Sequence, residues 1–175
     1  MNALLNVFAR LCVFRRGPED MPYAPPLVGI LLALWMVIQL ISAVLQDGLT
    51  VAQMVGVQLL AMGLLLGTSA MVLAFKNLLG RWIQTAIALI GVDIALSLLA
   101  LPMLLLGHAL GGTPSVLEGV YLLLVSWQLA VQAFIFHRAF AIGPLLGLAL
   151  AFGLLILTFM LVGALMPEVL NQSVA

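Results

Sequence analysis

The amino-acid sequence predicts an all-α, polytopic transmembrane bundle of five spans, preceded by a short amphipathic helix at the membrane interface. Three observations carry this. Of 175 residues, 65% are hydrophobic and 7% charged, against roughly 45–50% and about 25% in an ordinary soluble domain. The apolar residues are gathered into five long runs separated by short polar or Gly/Pro breaks. All six Lys and Arg fall before the first run or in alternate gaps between the runs. A water-soluble domain of about 150 residues leaves nearly a third of its unfolded surface exposed, and this chain has too few polar groups to cover that share. The composition therefore excludes a nucleic-acid binder, a disulfide scaffold, a disordered tail and a typical soluble enzyme. Cys12 is the only cysteine and has no internal disulfide partner.

The first 26 residues precede the spans. Asn2, Asn6 and Arg10 recur at four-residue spacing opposite Leu4, Leu5, Val7, Phe8 and Leu11, the pattern of a helix lying in the cytoplasmic interface. Arg10 interrupts the apolar stretch, and Glu19 and Asp20 follow it, so this is not the pattern of a cleavable signal. Met21 to Pro26, with Pro22, Pro25 and Pro26, forms a stiff connector that cannot be helical throughout.

The five spans are expected over residues 27–45, 51–75, 82–107, 115–136 and 142–166, each long enough to cross about 30 Å of hydrocarbon as a helix. Gln46, Asp47 and Gly48 end the first, Lys76 and Asn77 the second, and Pro167 the fifth. Pro102 removes a backbone donor within the third and is expected to bend it. Thr50 with Gln53, and Ser115 with Glu118, have the spacing of reciprocal capping boxes, which makes Glu118 a helix cap. The loops leave no room for a soluble module, and residues 167–175 form an external tail.

Cation placement sets the orientation. Arg10, Arg15 and Arg16 precede the first span, Lys76 and Arg81 lie between the second and third, and Arg138 lies between the fourth and fifth. The segments around Asp47, around His108 and after Pro167 contain none. The positive-inside rule then gives a cytoplasmic amino terminus and an external carboxyl terminus, and the six cations are the expected contacts to anionic headgroups. Compactness and short loops point to a bacterial inner membrane.

Asp93 is the one acid deep within a span, Glu118 lying at the start of the fourth. Asp93 falls about eleven residues, or roughly 16 Å, into the third span, near mid-bilayer. An Asp there costs about 2.5–3.5 kcal/mol on insertion scales, so it requires a partner. Every Lys and Arg belongs to a loop or span end, which leaves polar neutral groups. Gln128 in the fourth span and Gln39 in the first lie at nearly the same depth, and Ser97 continues the Asp93 face one turn on. Gln58 and Gln132 are displaced by roughly 10 Å or more. Two readings of the cluster follow. In one, Asp93 exchanges a proton or cation during transport, with Gln39 and Gln128 shaping the site. In the other, a protonated Asp93 donates a hydrogen bond to a Gln amide and fixes which helices touch, a contact worth about 0.6–2 kcal/mol in lipid. The structural reading is favoured, because a single carboxyl without a second ionisable group is a thin basis for a relay.

Small-residue ladders mark close helix packing: Gly63 and Gly67 in the second span, and Gly143, Gly147 and Ala151 in the fifth. They are expected to join neighbouring helices of one chain. Catalytic patterns fail on geometry. Gly67-Thr68-Ser69-Ala70 lacks the last glycine of an intramembrane-protease serine motif, and no base shares the depth of Ser69. His108 and His137 fall on opposite sides, so they cannot hold one metal or haem. No phosphate-binding loop or cysteine pair is present. No cofactor is expected.

The five-span order and the pre-span segment Gly17-Pro18-Glu19-Asp20, then Pro22, Pro25 and Pro26, resemble the Ypt-interacting-protein (YIP) family and its bacterial relatives of similar size. That resemblance implies a non-enzymatic integral membrane protein; eukaryotic members work with small GTPases in vesicle traffic. The chain lacks their long cytoplasmic amino-terminal region, and no site residue is carried over. The expected function is a scaffold or accessory subunit of a membrane assembly. Its expected partners are the lipid bilayer and a protein, or a second copy, met through helix faces. The alternative is a small transporter or channel subunit using Asp93.

Overall fold

A computed structural model describes residues 2–46, 50–110 and 115–166. Six α-helices make up nearly all of it: α1 (Asn2–Cys12), α2 (Pro25–Leu45), α3 (Val51–Phe75), α4 (Trp82–Ala109), α5 (Ser115–Ala139) and α6 (Pro144–Leu165). Short 3-10 turns at Pro18–Asp20 and Leu79–Arg81 precede α2 and α4. The five long helices have mean hydropathies of 1.7 to 2.7 and are long and apolar enough to cross a membrane. Asp47, Gly48 and the tail 167–175 lie outside the described residues.

Local chemistry accounts for the helix ends. Pro25 and Pro26 belong to the first turn of α2 rather than to the connector, because a proline there lacks only an N–H that would be unpaired anyway. Thr50 and Gln53 form the reciprocal box: the Gln53 N–H donates to Thr50 Oγ1 at 3.3 Å, and the Thr50 N–H donates to Gln53 Oε1 at 3.0 Å. The flank before Ser115, on which the Ser115–Glu118 box depends, lies outside the described residues. α4 continues through Pro102.

Three helices end on left-handed residues that are not glycine: Phe14 (φ 58°), Asn77 (φ 57°) and Ala141 (φ 49°). In each case the next N–H reaches back to close the helix. Arg15 donates to the Arg10 carbonyl, Leu78 to Leu73 and Ile142 to His137. This is the Schellman arrangement, in which the missing glycine leaves a steric cost in place.

α4 is the centre of the bundle, in contact with α1, α2, α3 and α5, while α6 packs on α5 and α3. From Thr85 to Val92 every residue of α4 is buried. α2 presents Leu31, Trp35, Ile38 and Ser42 as one buried stripe at helical spacing, towards α4. The α5–α6 contact is close at Gly147, where an added Cβ would lie 2.5 Å from the Ala133 carbonyl oxygen. Ala151, one turn on, is 1% exposed. That ladder therefore joins neighbouring helices. The α3 ladder does not: added Cβ atoms at Gly63 and Gly67 meet nothing within 4 Å. Gly143 is likewise open.

α1 does not stand apart from the bundle. Leu11 is fully buried, and Val7, Phe8 and Cys12 pack against the core. Asn6 and Arg10 remain on the exposed face, tied together by a hydrogen bond from Arg10 Nε to Asn6 Oδ1 at 3.1 Å. The described part of the apolar face, Val7, Phe8 and Leu11, thus lies against the bundle, where α1 meets α4.

Candidate functional site

Asp93 is held by donors from two other helices. α4 places it eleven residues beyond Trp82, and α5 places Gln128 eleven residues before Ala139, so each lies about 16–17 Å along its own helix from the same end of the bundle. Antiparallel neighbours matched in this way bring the two side chains together. Gln128 Nε2 donates to Asp93 Oδ1 at 2.6 Å. From α2, Trp35 Nε1 donates to Oδ2 at 2.7 Å, and Gln39 Nε2 approaches the same oxygen at 3.4 Å. Trp35 and Gln39 are buried, at 2% and 6% exposure. One turn apart on α2, both face α4.

Both carboxylate oxygens therefore have a partner, and the cluster ties α2, α4 and α5 at one level. The indole N–H can only donate, so Oδ2 is an acceptor whether or not Asp93 carries a proton. Gln128 can present either end of its amide. In apolar surroundings losing either short bond leaves a polar group unpaired.

The structure thus brings Asp93, Gln39 and Gln128 together and leaves Ser97 out, half-buried and without a hydrogen bond to the cluster. Trp35 is the member that the sequence reading missed. Its ring reads as one more apolar residue in the α2 run, and the only available signal was its position one turn before Gln39. Gln58 and Gln132 lie outside the cluster. Ser69, buried in α3, donates its hydroxyl to the Leu65 carbonyl at 2.6 Å. The His137 ring nitrogen Nδ1 contacts the Ile142 carbonyl and so belongs to the α5–α6 turn. His108 lies in the last turn of α4, at the other end of the bundle. Among the described residues, no group of three or more His, Cys, Asp or Glu side chains converges as a metal site would require.

The cations gather at the end of the bundle where α3 and α5 finish and α4 begins. Lys76 Nζ donates to the Phe140 carbonyl at 2.7 Å, tying the end of α3 to the α5–α6 connection. Arg138 lies 5.7 Å from the Phe134 ring centroid and 3.6 Å from Glu19. That pair is about half exposed on both sides and adds little stability on its own. Arg81 and Arg138 line a small cleft with Pro18, Glu19 and Gln84. Gln84 Nε2 donates to the Met21 carbonyl at 2.8 Å, which pins the connector on α4. Arg10, Arg15 and Arg16 belong to α1 and the segment after it. In comparisons with known proteins, the chain matches no protein-family model, no curated protein and no solved structure.

Proposed function

We propose that this is a non-enzymatic integral membrane protein that serves as a scaffold or accessory subunit of a membrane assembly. The single observation that carries the reading is the closed state of the Asp93 cluster. Its two oxygens are taken up by Trp35, Gln39 and Gln128, as suits a clasp between helices. Membrane embedding is supported by five helices of spanning length whose outward residues are apolar, among them Ile30, Val37, Val44, Leu122, Phe152 and Phe159. In water such a surface would aggregate; in lipid it is the ordinary exterior.

Under this reading the cation-rich end faces the cytoplasm, following the positive-inside rule. The amino terminus is then cytoplasmic and the carboxyl terminus external, and a bacterial inner membrane suits the short loops. Lys76, Arg81 and Arg138, with Arg15 and Arg16, meet anionic headgroups. Kinship with the YIP family belongs to the same proposal and rests on the five-helix order and the Pro-rich approach to α2. The partner is a protein, or a second copy, met through the helix faces or the first 26 residues.

The test is to extract the protein from its membrane in a lipid-retaining polymer and determine what accompanies it, in parallel with Asp93→Asn. A second polypeptide or a self-assembled oligomer, retained in Asp93→Asn, is the expected result. A lone chain that carries a pH-dependent ion flux in vesicles, lost in Asp93→Asn, would overturn the scaffold reading in favour of transport.

A further inference from the structure

α1 combines two features that pull it towards different places. Its apolar side is fitted to the bundle well away from the bundle's end. An added Cβ at Gly91 would lie 2.0 Å from the Phe8 ring, so the ring fills a notch that only glycine leaves open. Gly91 is nine residues past Trp82, about 14 Å along α4. At the other end of α1, Trp127 Nε1 donates to the Cys12 carbonyl at 3.0 Å. Trp127 is twelve residues from the end of α5, about 18 Å along it. Phe14 follows, with its ring 5.5 Å from Phe134 and 6.2 Å from Trp127.

The chain then returns: Glu19 reaches Arg138, and Met21 reaches Gln84, both near the helix ends. From Phe8 and Cys12 against the bundle's flank, the chain therefore comes back out to the cation-rich end. Backbone that turns around at such a depth must be satisfied internally. Here the Arg10 and Leu11 carbonyls accept from Arg15 and Phe14, and the Cys12 carbonyl accepts from Trp127.

The opposing feature is the exposed Asn6–Arg10 face. An arginine facing hydrocarbon is costly, whereas the same face in the headgroup layer is favoured. Docking gains the Phe8 notch, the burial of Leu11 and the Trp127 bond; undocking relieves Arg10. We propose that residues 6–17 form a strap with two positions, docked on α4 and α5 through Phe8 in the Gly91 notch, or lifted to the interface with Arg10 among headgroups.

The strap rests on the bundle being embedded in lipid, and Cys12, the only cysteine, reports on it directly. The full-length chain in phosphatidylcholine vesicles is labelled with a membrane-impermeant maleimide, on chains whose cation-rich end faces outward. In the native chain Cys12 is partly buried against the core, and Gly91→Leu, which fills the notch, raises its labelling rate about tenfold or more. Phe8→Ala removes the ring while leaving α4 intact, carries the same expectation, and decides the matter if Gly91→Leu does not fold. Replacing about a third of the lipid by phosphatidylglycerol draws the arginines outward and speeds labelling of the native chain. Equal rates in the native chain and both variants would overturn the latch, and indifference to lipid charge would overturn the second position. A chain that fails to float with the vesicles would refute membrane embedding, a separate outcome.

Discussion

Replacing Asp93 by Ala and, separately, by Asn distinguishes a structural clasp from a passive polar residue. Ala removes the acceptor for Trp35 at 2.7 Å and for Gln128 at 2.6 Å, together with the longer Gln39 contact. Hydrogen bonds between helices in lipid are worth about 0.6 kcal/mol on average and up to about 1.7, so the two short bonds account for about 1–3 kcal/mol. The buried Trp35 indole is then left unpaired, which adds about 1–3 kcal/mol of lost solvation. Asp93→Ala is therefore expected to destabilise the bundle by about 2–6 kcal/mol. Asn keeps one oxygen for Trp35 and turns its NH2 towards Gln128, whose amide flips to offer an oxygen, so its cost stays below about 1 kcal/mol. The assay is reversible unfolding of the purified protein in mixed micelles, followed by helix content and by tryptophan emission. A loss in Asp93→Ala within about 0.5 kcal/mol of zero, or an Asn variant as unstable as the Ala variant, would refute the reasoning.

Other substitutions test the packing. Gly147→Ala forces a Cβ to 2.5 Å from the Ala133 carbonyl and should cost about 1–3 kcal/mol, whereas Gly63→Ala and Gly67→Ala, which meet open space, should not destabilise the folded monomer in the same unfolding assay. Ala141→Gly removes the strain of a left-handed alanine, about 1–2 kcal/mol, against about 0.4–1 kcal/mol of added chain entropy in the unfolded state, and should stabilise by about 0.5–1 kcal/mol. Thr50→Ala breaks the cap on α3 and should cost about 0.5–2 kcal/mol, seen as fraying of the first turn in amide exchange.

The helices were legible in the sequence because long apolar runs closed by polar or Gly/Pro breaks read as helices of membrane-spanning length, and α2 through α6 have all three features. Depth along antiparallel helices was equally readable, which is how Gln128 and Gln39 could be placed with Asp93. What stayed hidden depends on direction around a helix. Trp35 carries a donor within an apolar ring, and Ser97 lies one turn from Asp93 without joining its bonds. The α3 and α6 ladders look alike as text, yet Gly147 meets the Ala133 carbonyl and Gly63 meets nothing. An amphipathic stripe such as that of α1 fits a membrane surface and a groove on α4 equally well, and only the Gly91 notch decides between them. Phe14 and Ala141 gave no hint of left-handed helix ends, because the expected sign there is glycine.

The account depends most on the five long helices crossing a bilayer with their cations on one side. Reporter fusions joined after Asp47, Lys76, His108 and Arg138 measure this directly. The expected result is alternation, with Asp47 and His108 external and Lys76 and Arg138 cytoplasmic. Lys76 and His108 on the same side, or an intact chain recovered monodisperse from a detergent-free aqueous lysate, would contradict it.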